Sequence, residues 1–271
     1  MSIAEPKLLH WLHNFYGYGS WQARFWFIGD EEPGGDIPEE VADKFNYFST
    51  HHAEAKPTLC NIRELYQHVS VGTEDPKAEK FTNRYDYRFG TTAIQSTVWK
   101  NLTAFEYGYN NLPVPDLFLY QKEKFAQAGL KREAMIPLYP LPGSHTHSWH
   151  YNWLNLTGCD FLKSQQRYEE YIYPQRIHTI LSNLREHKPE VVLMFGMKNI
   201  NGLKKSIQDF FGTVQFSTGK GIKLQIPQHH RADINGTTLI ITTQIPALRH
   251  GRIETGFDWE EFGRRVRASP Q

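Results

Sequence analysis

The segment PEVVLMFGMKNINGLKKSIQDFFG, residues 189–212, constrains the fold more than any other. Val191–Phe195 is a continuous apolar run of strand length, Gly196 follows, and a helical pattern begins near Lys198. A strand that is apolar at every position is buried on both faces. One that passes at once into a helix belongs to a parallel α/β sheet. TLIITTQIPAL, residues 238–248, has the same character and ends in a loop. Residues 24–28 of RFWFIGDEEPGGD and Ala134–Leu138 supply two further strands, the second leading into a Pro-rich, His-rich loop. Helical spacing falls between them: 5–17 closed by Gly17, 62–69 within a partly helical 38–70, 96–108, 116–128, 169–189 ended before Pro189, and 257–268. Residues 71–95 read as a polar surface excursion. Four core strands alternating with helices predict one α/β domain over 1–271, a three-layer α/β/α sandwich with a mostly parallel four-stranded central sheet.

Composition sets the surroundings. Hydrophobic residues are 39% and aromatics 14% of 271 residues, enough for a large core. No apolar run is long enough to span a membrane and no signal segment opens the chain, so a cytoplasmic protein is expected. Two cysteines, Cys60 and Cys159, are too few for a disulfide framework or a four-cysteine cluster. The net charge of +1 does not mark a nucleic-acid binder, but its distribution is uneven. Residues 1–60 carry four basic and nine acidic side chains, whereas 190–271 carry eleven basic and seven acidic. One end of the molecule is therefore suited to a polyanion while the other keeps its carboxylates.

In open α/β sheets chemistry collects beyond the carboxyl ends of the strands. Four loops are placed there. The first, GDEEPGGD, ends a buried strand with Asp30, Glu31 and Glu32, then Pro33-Gly34-Gly35 and Asp36. It offers no base to a phosphate; crowded carboxylates suit a hard cation, an activated water or a developing positive charge. The second, SHTHSWH, holds His145, His147 and His150, a His-x-His spacing able to bind zinc but without an anchored third ligand. Tyr139, Trp149 and Tyr151 beside it are stacking surfaces or ordinary packing. The third, FGMKN, sets Gly196, Lys198 and Asn199 at a helix N-terminus, which favours a phosphate. The fourth, TTQIPALRHGR, presents Gln244, Leu248, Arg249, His250 and Arg252; an apolar residue among arginines on a loop is how a wedge enters a DNA stack.

In that order these segments resemble the uracil-DNA glycosylase superfamily over most of residues 24–252. IGDEEPGG is similar to the family's Gly-x-x-Pro motif with one extra residue before Pro33. KPEVVLMFGMKNI resembles its glycine-ended strand, and LIITTQIPALRHG its final strand and His-Pro-Ser-Pro-Leu loop. AMIPLYPLP occupies the place of its base-reading strand, without the asparagine found there in several branches. The resemblance implies a monofunctional DNA glycosylase acting on a flipped-out uracil or modified pyrimidine, such as a bulky 5-substituted cytosine of phage DNA in a defence role. It implies catalysis by Glu32, Glu31 or Asp30, with Gln244 or His250 stabilising the leaving base. It implies a base pocket at Pro33, Gly34, Tyr139 and Pro140, and DNA contacts from Gly196, Lys198, Asn199, Leu248, Arg249 and Arg252, with Leu248 as the wedge. DNA is the partner, no metal or cofactor is called for, and a monomer is expected. Two other classes stay open: a catalytically silent nucleic-acid-binding member, and a metal-dependent hydrolase using the 30–36 carboxylates with His145 and His147.

Overall fold

A computed structural model describes residues 3–35, 37–71, 81–144, 148–154, 156–223, 225–247 and 256–268. In chain order the elements are α1 (Glu5–Asn14), β1 (Phe15–Tyr18), β2 (Phe25–Pro33), α2 (Pro38–His51), β3 (Thr58–Cys60) and α3 (Ile62–Gln67). Then come α4 (Arg84–Phe89), α5 (Thr97–Tyr109), α6 (Leu117–Glu123), β4 (Glu133–Gly143), α7 (Gln165–His187) and β5 (Val191–Phe195). The chain continues through α8 (Ile200–Phe211), β6 (Ser217–Gly219), β7 (His229–Ile234), β8 (Thr237–Ile241) and α9 (Trp259–Ala268). Side-chain caps fix several helix starts: Asn61, Ser96, Asp116, Ser164 and Asn199 each accept a first-turn N–H.

The eight strands among the described residues form one mixed but mostly parallel sheet in the order β3-β1-β4-β2-β5-β8-β7-β6. The four apolar runs read from the sequence are its centre, β4-β2-β5-β8, and they pair in parallel throughout. Alternation sends Trp26, Ile28, Val192, Met194, Leu239 and Ile241 to one face, where they meet Ile177 and Leu181 of α7 and Leu203 and Ile207 of α8. Phe25, Phe27, Val191, Leu193 and Ile240 face the other way, against Leu102 and Phe105 of α5 and Trp259, Phe262 and Val266 of α9. A third apolar cluster joins α1, α2 and α3 through Leu8, Trp11, Phe45, Phe48 and Leu65.

The four-stranded expectation is therefore corrected to eight strands. The additions are strands that lack a strand's usual signature. β1 is four buried residues directly after a helix, and Gly17, read as a helix stop, is a strand residue at φ +119. A Cβ on Gly17 would collide with the Met135 carbonyl of β4, so glycine permits the close approach of the two strands. α1 accordingly ends at Asn14, not at residue 17. β3 and β6 are only three residues long, and β7 (HHRADI) is polar. Within the polar stretch 71–95, Arg84–Phe89 is a helix whose Phe89 is buried.

β1 and β4 share only one backbone pair, Tyr18 with Met135. Arg176 of α7 fills the gap. It is fully buried and donates to the carbonyls of Phe15, Pro137 and Leu138, with its guanidinium 3.8 Å from the Tyr16 ring centre. Burial lowers its pKa to about 10, so it stays charged near neutrality.

The chain turns from β2 to β4 on one side and returns to β5 on the other. The switch point, where α/β sheets open a crevice, thus lies between the carboxyl ends of β2 and β5.

Candidate active site at the ends of the central strands

β2 outruns β5. Its last partner there is Phe195, opposite Gly29, after which it continues along β4 with Glu31 opposite Tyr139 and Pro33 opposite Gly143. The register slips between these last two pairs, two residues of β2 against four of β4. The Pro-Gly-Gly turn then docks onto that bulge, with the N–H groups of Gly34 and Gly35 both donating to the Gly143 carbonyl at 3.2 and 3.0 Å. Gly34 has φ +114.

The three consecutive carboxylates thereby enter three different surroundings. Asp30, 14% exposed, pairs with the Lys198 ammonium at 2.8 Å across the switch point. Glu32, also 14% exposed, is held by three side chains. Its oxygens accept from Tyr18 Oη at 2.9 Å and Tyr66 Oη at 2.9 Å, and Lys44 Nζ stands 3.2 Å away at 3% exposure. Burial and then the Glu32 charge raise both phenol pKa values, so both tyrosines remain neutral donors. Glu31 lies between these two and lines a cleft of about 210 Å³ with Gly143, Ser144, Trp149, Tyr151, Gln165 and Lys198. Its carboxylate occupies the space that a Cβ on Gly143 would take. Trp149 Nε1 donates to the Leu162 carbonyl and Tyr151 Oη to that of Pro142, which fixes the aromatic wall.

A second cleft of about 280 Å³ adjoins on the Asp30 side, lined by Tyr139, Glu169, Glu170, Tyr173, Lys198 and Asn199 among others. Lys198 belongs to both. Burial lowers its pKa, but the Asp30 bond and the charges of Asp30, Glu31 and Glu169 outweigh this and leave it raised. Glu169 titrates above the ordinary range because it is part-buried and near Asp30, against the opposing pull of Lys198.

Of the base-pocket residues expected from the sequence, Tyr139 lines the second cleft. Pro33, Gly34 and Pro140 line neither. Pro140 is buried, its carbonyl accepting from Trp11 Nε1 at 2.9 Å. Gly196, at φ +71, donates its N–H to the Gln244 carbonyl, which ties the loop after β8 to the switch point. Asn199 caps α8 by accepting from Gly202 N–H at 2.9 Å, and Lys198 is engaged with Asp30. The Gln244 side chain donates to Thr243 Oγ1 and lines neither cleft. His145, His147, Leu248, Arg249, His250 and Arg252 lie outside the described residues. His150 pairs with Ser144 Oγ at 3.1 Å. Among the described residues no group of three or more His, Cys, Asp or Glu side chains is arranged to hold a metal. No described helix is long and apolar enough to cross a membrane.

Nothing in the sequence marks Tyr18, Lys44 and Tyr66 as the partners of Glu32, since no local feature announces which carboxylate each will meet, and Glu169 stands out only as one acid among several on its helix. Gly143 was visible only as the end of a Pro-rich run. Comparison with protein-family models, curated proteins and solved structures finds no match to this chain.

Proposed function

We propose that this chain is a monofunctional DNA glycosylase that hydrolyses the N-glycosidic bond of a flipped-out uracil or modified pyrimidine, with Glu31 as the catalytic carboxylate. The observation that carries this reading is the placing of the three acids: Asp30 pairs with Lys198 and Glu32 is held by Tyr18, Tyr66 and Lys44, while Glu31 lines an aromatic-walled cleft. The helices on both faces of the sheet are, in this reading, the outer layers of an α/β/α sandwich of the uracil-DNA glycosylase type.

The C1′–N bond breaks with its electron pair passing to the base, and positive charge develops on the sugar. Glu31 stabilises that charge and orients the water that attacks C1′, taking up the water's proton as the new C–O bond forms. A donor from the loop after β8, Gln244 or His250, stabilises the base anion. Lys198 exchanges Asp30 for a DNA phosphate, Arg249 and Arg252 hold further phosphates, and Leu248 fills the space left by the flipped base. The protein acts as a cytoplasmic monomer, and a bulky 5-substituted cytosine of phage DNA is a fitting target in a defence role.

Incubation with duplexes containing uracil or 5-substituted cytosines, followed by alkali, tests this directly. Strand cleavage at the modified position is the expected result. Binding without abasic sites on every substrate would instead indicate a catalytically silent nucleic-acid-binding protein, and activity abolished by chelator a metal-dependent hydrolase.

A further inference from the structure

Away from both clefts, the last residue of α2 and the residue capping the C-terminus of α3 are histidines. His51 Nδ1 lies 2.9 Å from the Tyr47 carbonyl, and His68 Nδ1 lies 2.9 Å from that of Glu64. A carbonyl only accepts, so in the neutral rings both Nδ1 atoms carry the proton and both Nε2 atoms keep their lone pair. Both side chains are exposed, and no hydrogen bond among the described residues engages either Nε2. A backbone carbonyl on the distal nitrogen is the usual way a ligating histidine is oriented.

The spacing fits a shared ion. With a metal–nitrogen bond of about 2.0 Å, each ring centre lies roughly 3.2 Å from the metal, so a tetrahedral angle separates two centres by about 5.2 Å. The His51 and His68 rings are 5.5 Å apart at 51°. Tyr47, itself buried, supports both: its ring stacks on His51 at 4.2 Å and lies 4.8 Å from His68. The Glu64 carboxylate accepts from Asn61 Nδ2 at 2.7 Å and lies 3.5 Å from Tyr47 Oη, which holds the shared tyrosine in place. The C-terminal end of the 14-residue α2 also favours a cation.

We propose that His51 and His68 form a two-imidazole site for a late first-row divalent cation of the zinc class, with water completing the coordination. The bound ion bridges α2 to α3, the helices that supply Lys44 and Tyr66 to Glu32.

The test is titration of the full chain with zinc chloride, followed by calorimetry and thermal unfolding, against the His51→Gln/His68→Gln double variant. The wild type should bind one equivalent more than the double variant and gain thermal stability from it, as any ligand of the folded state confers. Each single variant should weaken that equivalent at least tenfold. Equal uptake by wild type and double variant, or no uptake by the wild type at millimolar zinc, overturns the proposal. Imidazole 15N spectra give a readout that needs no variant. Zinc should move the Nε2 resonances of two histidines held in the Nδ1–H tautomer, and unmoved resonances count against the site.

Discussion

The carboxylate of Glu31 lies where any side chain at Gly143 would have to go. These two residues sit on neighbouring parallel strands at the register slip, and the glycine is what lets the acid reach the cleft. Gly143→Ala should therefore displace the Glu31 carboxylate. Misplacing a catalytic group by about 1 Å costs on the order of 100-fold in rate, so base release should fall by roughly that factor. Unfolding in urea should show a loss of only about 1–3 kcal/mol, the usual range for an added methyl. An unchanged rate would mean that Glu31 is not held by this contact.

Lys44 is the one cation touching Glu32 among the described residues, and it is almost completely buried. Lys44→Met leaves the Glu32 charge beside two phenols alone, and breaking such a pair from one side costs about 3–5 kcal/mol. Adding Glu32→Gln to Lys44→Met should return most of that loss, because the uncompensated charge is gone. Denaturant unfolding of the two single variants and the double variant measures the coupling. Additive losses would contradict the network.

Much of this was legible in the sequence, and the boundary has a physical cause. The four central strands were readable because strands buried on both faces must be apolar at every position. β1 was hidden because its aromatic residues continue an amphipathic helix, so that Gly17 resembles a helix stop. β7 was hidden because its residues are polar. At the site, the acidic run at 30–32 stood out at once, and so did its position after a buried strand. Which acid does what was not readable, since Tyr18 and Tyr66 reach Glu32 from 14 and 34 residues away. The choice is made by tertiary packing.

Stability should depend on pH through Glu133, which is buried at the amino end of β4. It accepts from Tyr120 Oη and the Ala126 N–H, and burial, then the Glu106 charge, raises its pKa to about 8. An acid whose folded pKa is raised stabilises the fold fully below its unfolded value, about 4.3, and loses that contribution as pH rises through about 8. Thermal unfolding across this range should show wild type losing stability relative to Glu133→Gln, which stays neutral. Parallel curves would contradict the assignment.

Arg176→Met should be severely destabilising, because it strands the buried carbonyls of Phe15, Pro137 and Leu138 at the seam between β1 and β4. Each unsatisfied buried acceptor costs about 1–3 kcal/mol. A fall in the urea midpoint, or recovery of only unfolded protein, is expected; unchanged stability would show that the seam does not need the guanidinium.

Glu31, and neither of its two acidic neighbours, is the carboxylate proposed to act on the sugar. Single-turnover base release, on whichever modified duplex the wild type cuts, separates the candidates when Glu31→Gln is compared with Asp30→Asn. Loss of a positioned general base costs about 100-fold or more, so Glu31→Gln should fall at least that far. Asp30→Asn should stay within about tenfold of wild type, since it removes an ion pair and not the reacting group. A Glu31→Gln protein that releases base at the wild-type rate would rule Glu31 out as the reacting carboxylate.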